Sequence, residues 1–337
     1  DGAGNTRVER MLITPGPMPP DADCPRLVST CDATHSANTR RGISVRDSWF
    51  EKMTDDAANI HSYFARAVGY DAQSGMLRYT YGEERYQTCC APFRKGDEGW
   101  CFRPETGEKL RFTALSDTAA EEDGCFCIHI RMASAGLPDG MLIQNKSASG
   151  DGFCYENCLI DNNRSRGILV KASHGRIRGC TFRHNGMSAV LVKPEIPDGW
   201  GECGFAEDLV IENNRIEECG FFTGSELHSA VNIQADVPHT WMCHRNIQIC
   251  NNSFGPRYTA YALFADHVEG LNLAGNCFEA RAARHEELYP QGFNTLWPDD
   301  TEPAVLLSDV TDLQESGNSF PPSVRRPMVS RKEEKSS

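Results

Sequence analysis

Short blocks of apolar and polar residues recur along this chain. Each block has two apolar positions separated by one residue, and a closing apolar residue follows after four more. Two pairs of copies start 22 and 24 residues apart, at Phe153 and Gly175 and at Ile247 and Leu271. The copies span 43–50, 153–160, 175–182, 209–216, 247–254 and 271–278. A repeat of this period, built from brief strands without helical periodicity, predicts a solenoid.

One column of the repeat is polar. Two positions before each closing apolar residue stand Ser48, Cys158, Cys180, Asn214, Asn252, Asn276 and Asn318. Stacked coils lie about 4.8 Å apart, so amides in one column can hydrogen-bond from coil to coil. The pattern therefore predicts an all-β fold, a right-handed parallel β-helix whose coils contact mainly their neighbours.

The repeat divides the chain into four parts. Residues 1–66 carry the first coils, and residues 151–320 carry most of the β-helix. Between them, residues 67–150 lose the repeat and alternate apolar with polar residues between turns, which indicates an inserted antiparallel β-lobe or barrel. The charged and Ser-rich tail, 321–337, is expected to be disordered.

Composition narrows the range of partners. The 337 residues carry a formal net charge of −13, which argues against a nucleic-acid partner. No run approaches the 18 apolar residues needed to span a membrane. The chain starts without an initiator Met or a secretory leader, so we expect it to be processed or truncated, with N-terminal coils missing.

The 15 cysteines are expected to be mostly buried, reduced thiols, because cysteine stacks well inside such a coil. Neither Cys89-Cys90 nor Cys125-x-Cys127 has the paired Cys-x-x-Cys spacing of a zinc site. The sequence therefore predicts no metal.

Candidate chemistry concentrates near the N-terminus. Three carboxylates and two imidazoles lie within 30 residues, namely Asp32, Asp55, Asp56, His35 and His61. Acid–base chemistry on a neutral sugar needs separately tuned carboxylates, and stacked strands can hold them side by side.

The alternation of strand residues predicts where these side chains point. If Ile60 faces the core, Asn59 and His61 face outward with Asp55, while Asp56 faces inward. A buried unpaired carboxylate is costly, and bulges are common beside active sites. We therefore expect a local irregularity that brings both Asp55 and Asp56 near the surface.

Further candidates lie on later coils. Trp200 and Glu202 stand in a loop after an apolar strand, where the indole could stack on a sugar ring and the carboxylate could bind hydroxyls. Arg166 and Lys171 flank another strand and are expected to point outward, toward hydroxyls or a carboxylate.

Three segments together resemble a known family. They are 32–35 (Asp-Ala-Thr-His), 38–42 (Asn-Thr-Arg-Arg-Gly) and 55–61 (Asp-Asp-Ala-Ala-Asn-Ile-His). They look like the active-site strands of glycoside hydrolase family 110, exo-α-1,3-galactosidases built on a parallel β-helix with added β-barrel structure. Such a resemblance implies an inverting hydrolase that removes terminal α-1,3-linked galactose from glycans without a metal or other cofactor.

The resemblance also implies roles. Asp32 matches the general acid, and Asp55 and Asp56 match the carboxylates that serve as general base. We expect Asp32 to lie about 6.5–9.5 Å from the base, the separation of an inverting enzyme. His35, Asn59, His61, Trp200 and Glu202 would hold sugar hydroxyls. A glycan substrate of this kind implies a secreted or periplasmic location.

Two other functions stay open. A polysaccharide lyase or epimerase would use the same fold, but the sequence places no basic cluster beside the aspartates to neutralise a uronate. A non-catalytic carbohydrate-binding solenoid is the other alternative, because fold alone does not specify function.

Overall fold

The chain folds into a three-sided solenoid that carries an inserted barrel. In the computed structural model the described residues are 4–21, 28, 31–81, 92–133, 136, 140–196, 201–221, 229–238, 240–255, 261–279, 304–322 and 328–331. They form 32 strands and one 3₁₀ turn at Lys146–Ala148. The predicted all-β class is confirmed.

Three parallel sheets run along the solenoid, and among the described residues each coil but the last contributes a strand to each sheet. The first sheet contains β1 (Arg7–Glu9), β4 (Ser44–Arg46), β14 (Cys154–Glu156), β17 (Arg176–Arg178), β21 (Glu207–Glu212), β24 (His244–Cys250), β27 (Val268–Ala274), β30 (Val310–Thr311) and β31 (Gln314–Ser316). The second contains β2 (Leu12–Ile13), β5 (Trp49–Glu51), β15 (Leu159–Asp161), β18 (Thr181–Arg183), β22 (Arg215–Glu217), β25 (Ser253–Gly255) and β28 (Cys277–Phe278).

The third sheet positions the candidate site. Its strands are β3 (Thr34–Ala37), β6 (Ala58–Tyr63), β16 (Ile168–Val170), β19 (Val190–Val192), β20 (Glu202–Cys203), β23 (Ser229–Ile233), β26 (Tyr261–Ala265), β29 (Val305–Ser308) and β32 (Met328–Arg331). Every pair in it is parallel except β20, which runs antiparallel to the end of β6.

The turn from the first sheet to the second explains the polar column. A residue in the left-handed region precedes each column position, with φ of 49–56° at Asp47, Asn157, Asn213 and Asn251. Asx side chains and glycine tolerate this conformation better than other residues. The next residue then points inward, and the interior asparagines form a ladder in which each Nδ2 donates to the following Oδ1 at 3.0–3.1 Å.

One continuous apolar core fills the solenoid. Fully buried side chains from all three sheets line it, and equivalent residues of successive coils stack directly. The rings of Phe254 and Phe278 are parallel at 4.9 Å, and Phe278 and Phe320 repeat the contact at 4.7 Å. The predicted stacking of equivalent residues on successive coils is confirmed.

The inserted segment forms a separate antiparallel sheet. Its strands are β7 (Ala65–Asp71), β8 (Met76–Thr80), β9 (Glu98–Arg103), β10 (Glu108–Ala114), β11 (Ala119–Ala120), β12 (Phe126–Met132) and β13 (Leu142–Asn145). Pairing of β10 with β12 closes six of them into a barrel, as predicted. The division proposed after residue 66 falls inside β7, which already belongs to this barrel.

A separate apolar cluster joins the barrel to the solenoid. Phe102 and Leu142 of the barrel pack with Cys203 and Phe205 of the solenoid, and Trp241 covers them. Burial of these side chains stabilises the position of the segment that contains β20.

The expected disordered tail needs a correction. Within 321–337, Met328–Arg331 forms β32 and pairs in parallel with β29 through four residues. Main-chain hydrogen bonds to an exposed sheet edge do not require apolar side chains, so the polar composition of the tail concealed this strand. Within the described part of the chain, no helix has the length and apolarity that crossing a bilayer demands.

Candidate active site

The three candidate aspartates lie together at one edge of the third sheet. Asp32 precedes β3, and Asp55 and Asp56 precede β6, its parallel neighbour. One oxygen of each carboxylate lies within 4.8 Å of the others. The backbone N–H of Asp56 also donates to Asp32 Oδ1 at 3.1 Å, so the two coils are linked through the cluster.

Asp56 is buried, which corrects the expectation that both aspartates of the pair approach the surface. Its Oδ1 accepts hydrogen bonds from Arg166 Nε at 2.7 Å and from the Arg166 backbone N–H at 3.0 Å. Burial raises the pKa of Asp56 to about 7, against the opposing effect of Arg166, and the charges of Asp55 and Asp32 raise it further. The inward orientation that alternation predicts is retained because Arg166 compensates the carboxylate.

Asp55 has a different environment. Its side chain is 38% exposed, against 2% for Asp56, and its Oδ1 lies 3.6 Å from Arg166 Nη2. The adjacent pair therefore consists of one solvent-facing carboxylate and one buried carboxylate that share a guanidinium. Two adjacent carboxyl groups in unlike environments suit different roles in acid–base chemistry.

The two histidines continue the cluster from Asp32. His35 Nδ1 lies 2.7 Å from Asp32 Oδ2, and its Nε2 lies 2.8 Å from His61 Nε2. The hydrogen bond to Asp32 raises the pKa of His35, against the effect of burial. Burial lowers the pKa of His61 to about 4, and its Nδ1 donates to the carbonyl of Ser62 at 3.0 Å.

Glu202 reaches this group from a distant part of the chain, because β20 pairs with the end of β6. Its Oε2 accepts hydrogen bonds from Lys171 Nζ and from Asn59 Nδ2, the latter at 3.1 Å, and its Oε1 lies 3.6 Å from His61 Nε2. Burial acts to raise the pKa of Glu202, but interaction with His61, the charge of Lys171 and these hydrogen bonds lower it to about 2.

Lys171 also differs from expectation. It is fully buried rather than outward-facing, because Glu202 and Glu195 both contact its ammonium group, Glu195 at 3.3 Å. Sequence reasoning missed Glu195, although the candidates Trp200 and Glu202 follow it closely in the chain. His61 and Asn59 are buried as well, so His35 is the exposed member among the predicted hydroxyl ligands that the structure describes. Trp200 lies outside the described residues.

The structure also places cations beside the acidic groups. Arg166 contacts Asp55 and Asp56, and Lys171 contacts Glu202, although no basic residue is adjacent to them in sequence. The sequence places no basic cluster beside the aspartates, and the structure adds one basic side chain there, that of Arg166. Each cation is paired with a carboxylate, so it balances charge within the cluster.

Among the described residues, three groups have the atoms to hold a metal ion. They are Asp32 with Asp55 and Asp56, His35 with His61 and Glu202, and Asp266 with His267 and Asp309. In the first two groups, Arg166 or Lys171 already supplies positive charge to a carboxylate. The absence of a cofactor stays a prediction.

A separate cavity of about 820 Å³ lies where the barrel meets the solenoid. Arg66 and Leu142 line it from the barrel, and Ile196, Asp236 and His267 line it from the solenoid. None of the predicted site residues lines this cavity, so it is distinct from the acidic cluster.

The fold and site define a right-handed parallel β-helix with a cluster of acidic residues on one sheet edge. A family profile described as "Right handed beta helix region" matches residues 136–283. The right-handed fold class predicted from the repeat is thereby confirmed.

Curated proteins with similar sequences carry a galactosidase name. The chain is 24% identical over 282 residues to alpha-1,3-galactosidase A of Bacteroides fragilis, covering 81% of this chain and 44% of that protein. It is 26% identical over 264 residues to alpha-1,3-galactosidase B of Akkermansia muciniphila, covering 73% of this chain and 31% of that protein. The resemblance to α-1,3-galactosidases that the sequence predicts is confirmed.

The chain spans between about a third and just under half of the length of these two relatives. Among solved structures, a chain titled "Glycoside hydrolase" is 9% identical, with a TM-score of 0.24 over 87% of this chain and 89% of that one. At that TM-score the superposition bears on neither fold detail nor function.

Proposed function

We propose that this chain is a glycoside hydrolase that removes terminal α-1,3-linked galactose from glycans. The observation that carries the proposal is the meeting of Asp32, Asp55 and Asp56, each with an oxygen within 4.8 Å of the others. The similarity to proteins named alpha-1,3-galactosidase supports the choice of sugar and linkage. From this substrate class we also propose a secreted or periplasmic location.

The environments of the carboxylates support separate roles. Asp32 serves as the general acid that protonates the glycosidic oxygen, and the exposed Asp55 serves as the base that takes a proton from water. Asp56 holds Arg166 against this pair through two hydrogen bonds. His35 and Arg166, whose side chains are 44% and 17% exposed, bind the sugar hydroxyls.

The stereochemical outcome is a second part of the proposal. Carboxyl groups in inverting enzymes lie about 6.5–9.5 Å apart, and those in retaining enzymes about 5–5.5 Å apart. The nearest oxygens of this cluster lie within 4.8 Å, closer than the separation expected from the sequence. This separation does not favour inversion, which therefore rests on the resemblance to the α-1,3-galactosidases alone. We propose inversion on that ground, with Asp32 as the acid and Asp55 as the base.

Proton NMR that resolves the two anomers tests the proposal on α-1,3-galactobiose. We expect β-galactose as the first product, and a loss of turnover of about 10²-fold or more in Asp32→Asn and in Asp55→Asn. Asp236→Asn is the matched control, because its side chain is exposed and lies outside the cluster. It should keep wild-type turnover.

Each of three other outcomes would contradict a different part of the proposed function. Release of α-galactose first would exclude inversion, and unsaturated ultraviolet-absorbing ends from a uronate polymer would identify a lyase. Galactoside binding without turnover, unchanged when all three aspartates are replaced, would identify a non-catalytic binding protein.

A further inference from the structure

A chain of polar contacts leads from Asp32 to a buried backbone carbonyl. It runs from Asp32 Oδ2 to His35 Nδ1 at 2.7 Å, and from His35 Nε2 to His61 Nε2 at 2.8 Å. It ends where His61 Nδ1 meets the carbonyl oxygen of Ser62 at 3.0 Å. These contacts join the proposed general acid to a side chain that solvent does not reach, since His61 is fully buried.

The last contact fixes the direction of the chain. A carbonyl oxygen only accepts, so Nδ1 of His61 carries the proton of that hydrogen bond. Burial favours the neutral imidazole of His61, and a neutral imidazole has one protonated nitrogen. Its Nε2 is therefore the acceptor, and Nε2 of His35 must donate to it.

The first contact then requires a proton of its own. A carboxylate oxygen and an unprotonated imidazole nitrogen both carry lone pairs, and at 2.7 Å they would repel each other. A proton must lie between them, on Asp32 as an acid or on His35 as an imidazolium. The Asp32–His35 pair thus holds two protons, of which the one next to Asp32 can leave.

We propose that Asp32, His35 and His61 form a relay of hydrogen bonds with one fixed direction, which keeps a proton beside the general acid Asp32. The assignment rests on the proposed function, which makes Asp32 the acid. His61 is a positioning residue in this scheme, not the hydroxyl ligand predicted from the sequence. By accepting from Nε2 of His35, it keeps the opposite ring nitrogen directed at Asp32.

The surrounding groups fit this role. Glu202 faces His61 at 3.6 Å, Lys171 and Glu195 adjoin Glu202, and the ring of Tyr63 lies edge-on to His61 at 4.9 Å. Asp55, Asp56 and Arg166 face Asp32 from the other side. Since Lys171 already binds Glu202, the net negative charge near His61 is small and the imidazole can stay neutral.

The proton balance of a turnover is simple. Asp32 gives its proton to the glycosidic oxygen as the bond to the anomeric carbon breaks, and becomes a carboxylate. Asp55 takes a proton from the attacking water, whose oxygen bonds to that carbon. Asp55 then releases its proton to solvent and the Asp32–His35 pair takes one up, which restores the starting state.

Nitrogen-15 NMR of the imidazoles in the full chain tests the relay without any substrate. We expect His61 as a neutral ring protonated on Nδ1, and His35 protonated on Nε2, with signals assigned through His61→Gln and His35→Gln. A His61 ring protonated on Nε2, or averaged between the two forms, would overturn the proposal. So would signals of this pattern that appear only after treatment with EDTA, because an ion would then lie between the two Nε2 atoms.

Kinetics on α-1,3-galactobiose supply the second test, with a matched pair of variants. His61→Gln keeps an acceptor toward His35 and a donor toward Ser62, whereas His61→Leu has a similar volume and neither group. We expect kcat of His61→Leu to fall by about 10²-fold with little change in KM, and its basic pH limb to move to lower pH. His61→Gln should restore most of both.

Equal loss in the two variants, or an unshifted pH profile for His61→Leu, would show that His61 acts only through packing. A failure of the proposed function would give a different set of results from a failure of the relay. In that case the wild-type chain releases no galactose, while the NMR measurement still decides the direction of the relay.

Discussion

The buried carboxyl group of Asp56 links residues of the acidic cluster, and its burial lowers the stability of the folded chain. It lies at 1% exposure with Arg166 as its partner, and its pKa is raised to about 7. A raised acidic pKa means that the folded chain binds this proton more tightly than the unfolded chain. The contribution of Asp56 to stability is therefore largest at low pH, where its carboxyl group is protonated in both the folded and the unfolded chain.

Because the pKa of Asp56 is raised, the free energy of unfolding depends on pH in a measurable way. Between about pH 4 and 7 the unfolded state has lost the proton and the folded state has not, so the free energy of unfolding declines as pH rises. The decline attributable to Asp56 is roughly 4 kcal/mol in all. We expect the wild-type value minus the Asp56→Asn value to fall across this range in urea titrations. A difference that is flat or rises with pH would contradict the assignment.

Lys171 is the corresponding buried cation. Its ammonium group lies between Glu202 and Glu195, and the side chain is fully buried. Removing one partner of a buried ion pair leaves an uncompensated charge in a low-dielectric interior. The neighbouring coil offers a comparison, because Lys193 follows β19 as Lys171 follows β16 but pairs with the exposed Asp236 at 3.1 Å.

We therefore expect Lys171→Met to lower the free energy of unfolding by about 3–5 kcal/mol. The matched Lys193→Met should cost no more than about 1 kcal/mol, because its partner is solvated. Denaturant titration of both variants measures the difference. Similar losses would show that packing of the lysine stem, and not the buried ion pairs, stabilises this coil.

At the scale of the element, the asparagine ladder determines how the coils stack. Asn252 accepts at Oδ1 from the Asn214 backbone N–H at 2.9 Å and from its side chain, and donates from Nδ2 to Ile211 O and Asn276 Oδ1. Its amide thus satisfies two backbone groups of the preceding coil and bonds to the side chain of the following coil, inside the core. Unmade hydrogen bonds there are costly.

Replacing Asn252 with Ala should lower the free energy of unfolding by about 2–4 kcal/mol, since buried donors and acceptors on both sides lose their partners. Asn318→Ala at the half-exposed end of the ladder should cost less than half as much, because water can replace its bonds. Thermal and urea unfolding measure both. An equal cost at the two positions would mean that the ladder is not the source of the stability.

The strands divide into those that sequence could predict and those that it could not. Strands equivalent to β14, β15 and β16 recur on successive coils with the same apolar pattern, so their periodicity is visible in the sequence. β20 has two residues, runs against its neighbour and carries Glu202 to Asn59. Its pairing depends on contacts between segments about 140 residues apart, for which a local pattern has no signal.

At the scale of the whole molecule, the solenoid makes the site by bringing successive coils into register. Asp32 and Asp56 are 24 positions apart and meet because β3 and β6 are parallel neighbours. The barrel interrupts the chain directly after β6, and the cluster around Phe102 packs it against the solenoid. The site is thus assembled from several coils that a single rigid core holds together.

The sequence by itself determined the architecture and the grouping of the candidate site residues. Short apolar repeats and a polar column predict a parallel β-helix, because solenoid contacts repeat locally and leave a periodic trace. The same strand alternation predicts that Asp56 points inward. It also places Asp32, His35 and Asp55 on adjacent coils, since their spacing is close to one turn.

Only the tertiary structure decided how those groups are paired and which of them solvent reaches. Arg166 compensates Asp56, Lys171 is buried against Glu202, and His61 contacts His35 through one ring nitrogen and a backbone carbonyl through the other. These arrangements depend on distances between segments far apart in the chain. Burial and charge pairing follow from such distances, so they leave no pattern in the order of residues.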